Sequence, residues 1–407
     1  MDLLFLHPNF PGQFRRIAQA LAKEGGVRVW GLGDESWIGA GPGVPGVEVM
    51  RYPAVPAAPT ETHPWVRGFE QSVRRGVAVI ERLAELKGGG FEPDVIVSHP
   101  GWGDAYFVRD YFPGAEVIGL FEYYYHPRGA DVGFDPEFPC RVDDIFRLHV
   151  TNSAQLLALE SCHKGVCPTP WQKSLYPAAY RPKLQVLHEG IDTVRVAPRK
   201  DVKFTLPDGR TLGQGDEVLT FASRCLEPYR GFHQFMRALP RILRERPEAQ
   251  VLVLGEDAAH YGPEPPGAGG WKQVYQAQLR GQVDWRRVHF LGALPYDDYL
   301  SVLQVSAAHV YLTYPFILSW SMLEAMSAGC LLIASDTAPV RDVVEDGENG
   351  FLFDFFDVSR LASLVVQALS EPGAHTGVRA RARQTVVDRY DFQRVCLPQY
   401  KAVIGLS

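Results

Sequence analysis

Short apolar runs alternate with longer amphipathic stretches along nearly the whole chain, and that alternation admits few folds. Residues 3–6, 27–31, 47–51, 95–98, 117–121 and 148–151 read as strands. Between them, residues 13–23 and 66–86 read as helices, the second carrying Phe69, Val73, Val77, Ile80 and Leu83 on one face. Strands separated by helices pair in parallel through right-handed crossovers. A second series follows at residues 218–222, 250–255, 288–291, 309–313 and 331–335. The fold class expected is therefore α/β, with two doubly wound, Rossmann-like halves in tandem.

The length of 407 residues agrees, since one core rarely serves so long a chain. The expected domains are 1–195 and 196–390, with 391–407 forming a C-terminal helix that returns to the first domain. The polar stretch 198–217, with its Pro-Asp-Gly-Arg turn, reads as a hairpin opening the second half, and 256–272 as a Gly/Pro-rich loop. Open parallel sheets bind ligands at the carboxyl ends of their strands, so the cleft between two such domains is the expected site.

Composition removes several classes. Hydrophobic and aromatic fractions of 46% and 12% suit a packed globular protein. A net charge of −6 argues against nucleic acid as a partner. No apolar run reaches the ~18–20 residues that span a bilayer. The N-terminus, Met1-Asp2-Leu3-Leu4-Phe5-Leu6, reads as a strand and not as a signal peptide. The six cysteines match no common zinc spacing, including Cys162 and Cys167. A cytoplasmic location with reduced thiols is expected. Arg15, Arg16, Arg67, Arg74 and Arg75 could form a basic face for peripheral contact with the inner side of a membrane, or simply a solvated surface.

Three segments of the second half suit a nucleotide diphosphate joined to a sugar. In the first, a strand ends in a turn bearing Arg224 and Arg230, six residues apart. A leaving diphosphate gains negative charge, and forked guanidinium donors match its oxygens. An ion pair of either arginine with Glu227 is the plainer alternative. In the second, residues 313–329 follow a strand and enter a helix near Ser319, whose amides could meet phosphate. Glu324 lies one or two turns in, as a bidentate acceptor for a ribose diol or as a buried structural carboxylate. The third is the buried strand at 331–335, with Asp336 and the turn at 345–350 behind it.

In that order these segments resemble the C-terminal domain of glycosyltransferase family 4, whose members are retaining enzymes of the GT-B architecture. The matching motifs are Arg224 and Arg230-Gly231, Phe290-Leu291-Gly292, Leu323-Glu324-Ala325-Met326-Ser327-Ala328-Gly329, Ser335-Asp336 and Asn349-Gly350-Phe351-Leu352. His188-Glu189-Gly190-Ile191-Asp192 resembles the family's interdomain stretch. The likeness covers residues 185–400 well and the first 185 loosely. It implies that Arg224 contacts the donor diphosphate and that Arg230 stands where the family usually has a phosphate-binding Lys. It further implies that Glu324 holds the ribose, and that backbone around Leu318, Ser319, Trp320 and Ser321 faces the phosphates and sugar. Residues 288–295 would border the base. One position departs: the first of the family's two Glu residues is Phe316 here.

In the first half the resemblance is partial. Gly12 in His7-Pro8-Asn9-Phe10-Pro11-Gly12-Gln13 stands in the family's glycine loop near the diphosphate, though an ordinary strand–helix turn explains it too. His99 lies past a strand end, bordering the cleft or bonded structurally. Glu122 aligns with the family's histidine near the reacting carbon, where it could take the acceptor proton or stabilise positive charge. Pairing with Arg128 or Arg141 is the alternative. Trp102, Tyr123, Tyr124, Tyr125, Phe134 and Phe138 could line an acceptor site or belong to the core.

The resemblance thus implies a retaining transferase moving a hexose from a nucleotide-diphosphate sugar, UDP favoured, to a hydroxyl of a glycan, lipid-linked glycan or small molecule. No cofactor and no metal are expected, since no Asp-x-Asp cluster stands near the site. A sugar-nucleotide epimerase and a non-catalytic partner subunit are the competing expectations.

Overall fold

The computed structural model describes residues 1–39, 43–267 and 269–406. By internal contacts the chain divides into two units. The first comprises residues 1–133, 139–190 and 393–407, and the second 134–138 and 191–392.

The first unit is built on seven parallel strands: β1 (Asp2–Leu6), β2 (Arg28–Asp34), β3 (Val47–Tyr52), β4 (Val95–Ser98), β5 (Glu116–Leu120), β6 (Lys164–Cys167) and β7 (Leu184–Val186). Their order is β3-β2-β1-β4-β5-β6-β7. The strands are short, with mostly apolar interiors and most of their polar residues at the ends, as suits a parallel sheet covered by helices. Leu4, Leu6, Ile96 and Val117 meet Val79 and Leu83 of the helix Arg67–Gly88 in one core. That helix turns its inner face differently from expectation. Ser72, Arg75, Gly76, Val79 and Leu83 point inward, and Val77 is exposed.

In the second unit, Lys203–Thr205 (β8) and Thr211–Gly213 (β9) form the expected antiparallel hairpin. A six-stranded parallel sheet follows: β10 (Val218–Cys225), β11 (Gln250–Glu256), β12 (Val288–Gly292), β13 (Ala308–Tyr311), β14 (Leu332–Ser335) and β15 (Phe351–Phe353). Its order, β12-β11-β10-β13-β14-β15, reproduces the winding of the first sheet. In each, the direction of winding reverses beside the first strand, between β1 and β4 and between β10 and β13. Ligands of doubly wound sheets bind at this switch point, outside the carboxyl ends of the strands.

Several local expectations are corrected. Residues 148–151 are not a strand but the middle of the helix Val142–Ser161. Asp144 accepts from the Arg141 amide and starts that helix, while Ala154, Ala158 and Leu159 bury its inner side, so packing overrides a short β-branched run. The C-terminal segment is helical as expected, but its first part, Phe392–Cys396, is a π-helix that runs into the α-helix Leu397–Val403. Pro398, lacking an N–H, belongs at a helix start and not inside one. Residue 268 of the expected loop at 256–272 lies outside the described residues, and a helix begins at Trp271. Arg75 leaves the basic face altogether: it is 4% exposed and faces Asp104 at 3.8 Å. No helix among the described residues is long and apolar enough to cross a membrane.

Candidate functional site

In the second unit the candidate residues gather at the switch point. Arg224 is the penultimate residue of β10, with its side chain exposed and without a partner among the described residues. Arg230 ends the short turn Pro228–Arg230 and is 7% exposed. Its Nη1 donates to Thr313 Oγ1 at 3.0 Å and to the Ile317 carbonyl at 2.8 Å. No described residue accepts from its Nε or Nη2, and neither atom is sealed from solvent. The guanidinium is thus held by one nitrogen and presents the other two. Neither arginine pairs with Glu227, whose Oε2 instead accepts the amides of His260, Tyr261 and Gly262 at 2.9–3.0 Å. Glu227 therefore anchors the loop beyond β11.

Phe316 is 1% exposed. Its ring centroid lies 5.6 Å from the Arg230 guanidinium carbon, and Tyr261 offers a second ring at the same distance. Phe316 and Tyr261 thus give Arg230 an aromatic support.

The helix Trp320–Ala328 starts at Ser319, whose hydroxyl accepts from the Ser321 amide. The Ser319 amide donates to the Tyr311 hydroxyl at 2.9 Å. Two of the amides expected to face phosphate, those of Ser319 and Ser321, are thus engaged within the protein. Leu318 is buried beneath this turn, and Trp320 is partly buried. Glu324 is 5% exposed and accepts from the Tyr296 hydroxyl at 2.6 Å and the Tyr299 hydroxyl at 3.0 Å, one on each oxygen. These tyrosines, one on each oxygen, orient the Glu324 carboxylate.

In the first unit, loops following β1, β4 and β5 bring His7, Gly12, Gln13, His99 and Glu122 together. His99 Nε2 lies 2.9 Å from Glu122 Oε2, and Gln13 Nε2 donates to Oε1 at 2.9 Å. Gln172 holds the Glu122 carbonyl at 2.7 Å. Glu122 thus pairs with His99, and not with Arg128 or Arg141. Burial, the largest single influence on both groups, opposes their charges. The mutual charge and hydrogen bond outweigh it, holding His99 above its ordinary 6.5 and Glu122 below its ordinary 4.5. His7 is pushed down to about 3 by burial and then by the His99 charge. Gly12 has φ +45°, and a Cβ there would stand 2.8 Å from the His7 ring. A left-handed, crowded position of this kind accepts only glycine comfortably.

The aromatic candidates are divided between the two units. Tyr123 is buried, its hydroxyl donating to Asp131 at 2.7 Å. Phe134 packs on Tyr314 and Phe355, and Phe138 on His233 and Trp271, all within the second unit. Trp102 is exposed.

Two groups bring three ligand-type atoms within reach of one ion. Asp135, Glu137 and His233 are committed elsewhere: Asp135 joins His233 to the Tyr314 hydroxyl, and Glu137 takes Arg237 through both oxygens. Cys225, Glu256 and His260 lie at the ends of β10 and β11, with burial pushing the Cys225 thiol up to about 11.

The spacing of the motifs did not point to Gln13, Tyr296, Tyr299 or Glu227. Each acts by holding another residue, and only Tyr296 and Tyr299, on one helix face three residues apart, left a periodic signal.

Residues 25–196 match the family model described as glycosyl transferase family 4 group, and residues 205–385 match glycosyl transferases group 1. A phosphatidyl-myo-inositol mannosyltransferase of Mycobacterium tuberculosis is 27% identical over 301 residues, 64% of this chain and 74% of that one. Among solved structures, sucrose-phosphate synthase from Thermosynechococcus elongatus superposes with a TM-score of 0.72 at 16% identity, all of each chain being covered. Anabaena HepE, solved with UDP-glucose, gives 0.66 at 15% identity, again with both chains fully covered. The two family models between them take up most of the sequence, and the winding of both sheets agrees with them. The first half of the chain thus matches the family 4 group of glycosyl transferases and the second half glycosyl transferases group 1, on a GT-B fold.

Proposed function

We propose that the protein is a retaining hexosyltransferase that takes its sugar from a nucleotide diphosphate, UDP in preference, and passes it to a hydroxyl acceptor. The observation that carries this reading is the pair of arginines at the switch point of the second sheet. One is exposed and unpartnered, and the other is held by one nitrogen with two donors to spare.

In the reaction, the bond from the anomeric carbon to the diphosphate breaks and the diphosphate keeps the electron pair. Arg224 and Arg230 offset the charge that develops on it. Glu324, oriented by Tyr296 and Tyr299, accepts from the ribose hydroxyls. The acceptor oxygen bonds to the anomeric carbon, and its proton passes to the departing phosphate oxygens. Glu122 stays ionised beside His99, which makes it a weak base at neutral pH. Its lasting negative charge suits an electrostatic role better than proton removal. The arginines supply the positive charge that a divalent ion supplies in other diphosphate sites.

Names among the relatives and neighbours support a sugar nucleotide as donor, one neighbour having been solved with UDP-glucose. Calorimetry with UDP, GDP, ADP and dTDP, followed by incubation with the matching hexose nucleotides, tests the reading. Binding of one diphosphate and its release from the sugar nucleotide are expected. A protein that binds none of the four overturns it.

A further inference from the structure

Two of the eight tryptophans are held outward in the first unit. Trp37 is 44% exposed and Trp102 41%. Their rings meet edge to face, 5.5 Å between centroids. Exposed apolar area costs about 25 cal/mol per Å² relative to burial, so an outward indole pair held by a rigid frame calls for a reason beyond packing.

That frame is present. Trp37 sits in the turn after β2, where buried Asp34 accepts the Ser36 amide at 2.9 Å through its side chain and the Trp37 amide at 3.0 Å through its carbonyl. Trp102 ends the turn Pro100–Trp102, three residues beyond His99. Arg75, buried in the helix Arg67–Gly88, donates to the Trp102 carbonyl at 2.9 Å and sets its guanidinium carbon 5.2 Å from the Trp37 ring. The following residue, Gly103, has φ +94°, and a Cβ there would stand 2.2 Å from the Ser72 carbonyl oxygen. The turn is thus pressed against the helix that carries Arg75.

The position in the sheet is equally specific. β2 and β4 flank β1, so both indoles stand at the carboxyl ends of the strands on either side of the His7 loop. The Trp102 and His99 ring centroids are 6.4 Å apart, and His99 is bonded to Glu122. An apolar surface thus adjoins a small set of fixed polar groups, the usual composition of a small-molecule site.

We propose that Trp37 and Trp102 form a platform for a pyranose ring of the acceptor, which is therefore a saccharide, free or lipid-linked. The inference rests on the glycosyltransferase reading above. The C–H face of the sugar lies on indole, while its hydroxyls reach toward His99 and Glu122.

Protein grown with 5-fluorotryptophan carries one fluorine reporter per tryptophan, and Trp37→Phe and Trp102→Phe assign the two resonances. Titration with methyl glucosides, mannosides and galactosides and the matching disaccharides should shift those two saturably and leave the others in place. Trp37→Ala and Trp102→Ala should each weaken saccharide binding about tenfold without changing nucleotide affinity. If no saccharide moves the pair, or if nucleosides or detergent micelles move it instead, the platform assignment is overturned. A matching lipid-linked saccharide added in detergent separates the two acceptor forms, since preference for it over the free sugar marks the lipid-linked source. Should an alanine variant fail to fold, the wild-type shifts and the phenylalanine variants decide. Calorimetry with UDP, GDP, ADP and dTDP on the same sample reads the donor site separately, so its failure counts against the glycosyltransferase reading and not against the platform.

Discussion

The Arg230 guanidinium carbon lies 5.6 Å from the centroid of the Phe316 ring, so the cation rests against an apolar ring. Arginine stacks on an aromatic face while forking toward an anion, which lysine cannot do. A phenyl ring, unlike a carboxylate, offers no ion-pair partner that would draw the cation away from a diphosphate. Phe316→Glu should therefore lower donor affinity about tenfold or more, because the new carboxylate competes for Arg230. Phe316→Leu, which loses only the stacking, should cost about 0.5–1 kcal/mol of binding. Calorimetry with the bound nucleotide ranks the three proteins, and a Phe316→Glu variant that binds normally refutes the coupling.

Arg224 is exposed and without a partner, so the folded state gains little from it. Arg224→Ala should melt within about 0.5 kcal/mol of the parent, yet lose about 10²–10³ in turnover, as for removal of one preorganised charge stabiliser. Thermal melts and release of nucleotide diphosphate measure the two quantities on one preparation. Near-normal turnover would remove Arg224 from the site.

The doubly wound architecture was readable because hydrophobic periodicity marks strands and helices wherever they are long enough. It failed at β7 and β15, three residues each, which are too short to carry a period, and at residues 148–151, where packing on Ala154 and Ala158 overrode a β-branched run. Arg224, Arg230 and Glu324 were readable as motif residues at strand and helix ends. Their supports were not. Tyr296 reaches Glu324 across 28 positions and Gln13 reaches Glu122 across 109, and a single sequence carries no record of such pairings. Arg75 shows the reverse error: it reads as one charge in a basic surface cluster, and only the fold reveals that it is buried under two tryptophans.

The His99–Glu122 pair makes activity depend on pH in a defined direction. His99 is held above its ordinary 6.5, so imidazolium persists to a higher pH than in an ordinary histidine and is lost as pH rises through the raised value. Glu122 is held below 4.5, so carboxylate persists until pH falls through the lowered value. The charged pair, and its contribution to folding, exists between those limits. The profile of kcat/KM should be flat across that window and fall on both sides. In Glu122→Gln, only the Asp104 charge and a backbone hydrogen bond remain to oppose the effect of burial on His99, so its proton is lost at a lower pH and turnover drops about 10²-fold. An alkaline limb that stays in place in Glu122→Gln would dissociate it from His99.

Glu324 receives one tyrosine hydroxyl on each oxygen, which fixes its plane in the first turns of the helix Trp320–Ala328. A ribose diol binds a carboxylate well only when both oxygens face it, so the tyrosines should matter to recognition of the sugar of the nucleotide more than to folding. Tyr296→Phe with Tyr299→Phe removes both bonds and loosens the hold on the orientation of the carboxylate. Each lost bond to a charged group costs about 1.5–3 kcal/mol at most. Part of the loss should appear as weaker discrimination between UDP and its 2′-deoxy analogue. In the parent, the analogue should bind about tenfold more weakly, because one acceptor position on Glu324 is left unfilled. In the double variant the two nucleotides should converge, both binding less tightly than UDP binds the parent. Calorimetry with the pair of nucleotides decides it: equal binding of both by the parent would mean that Glu324 does not hold the ribose, and that its two tyrosines serve packing alone.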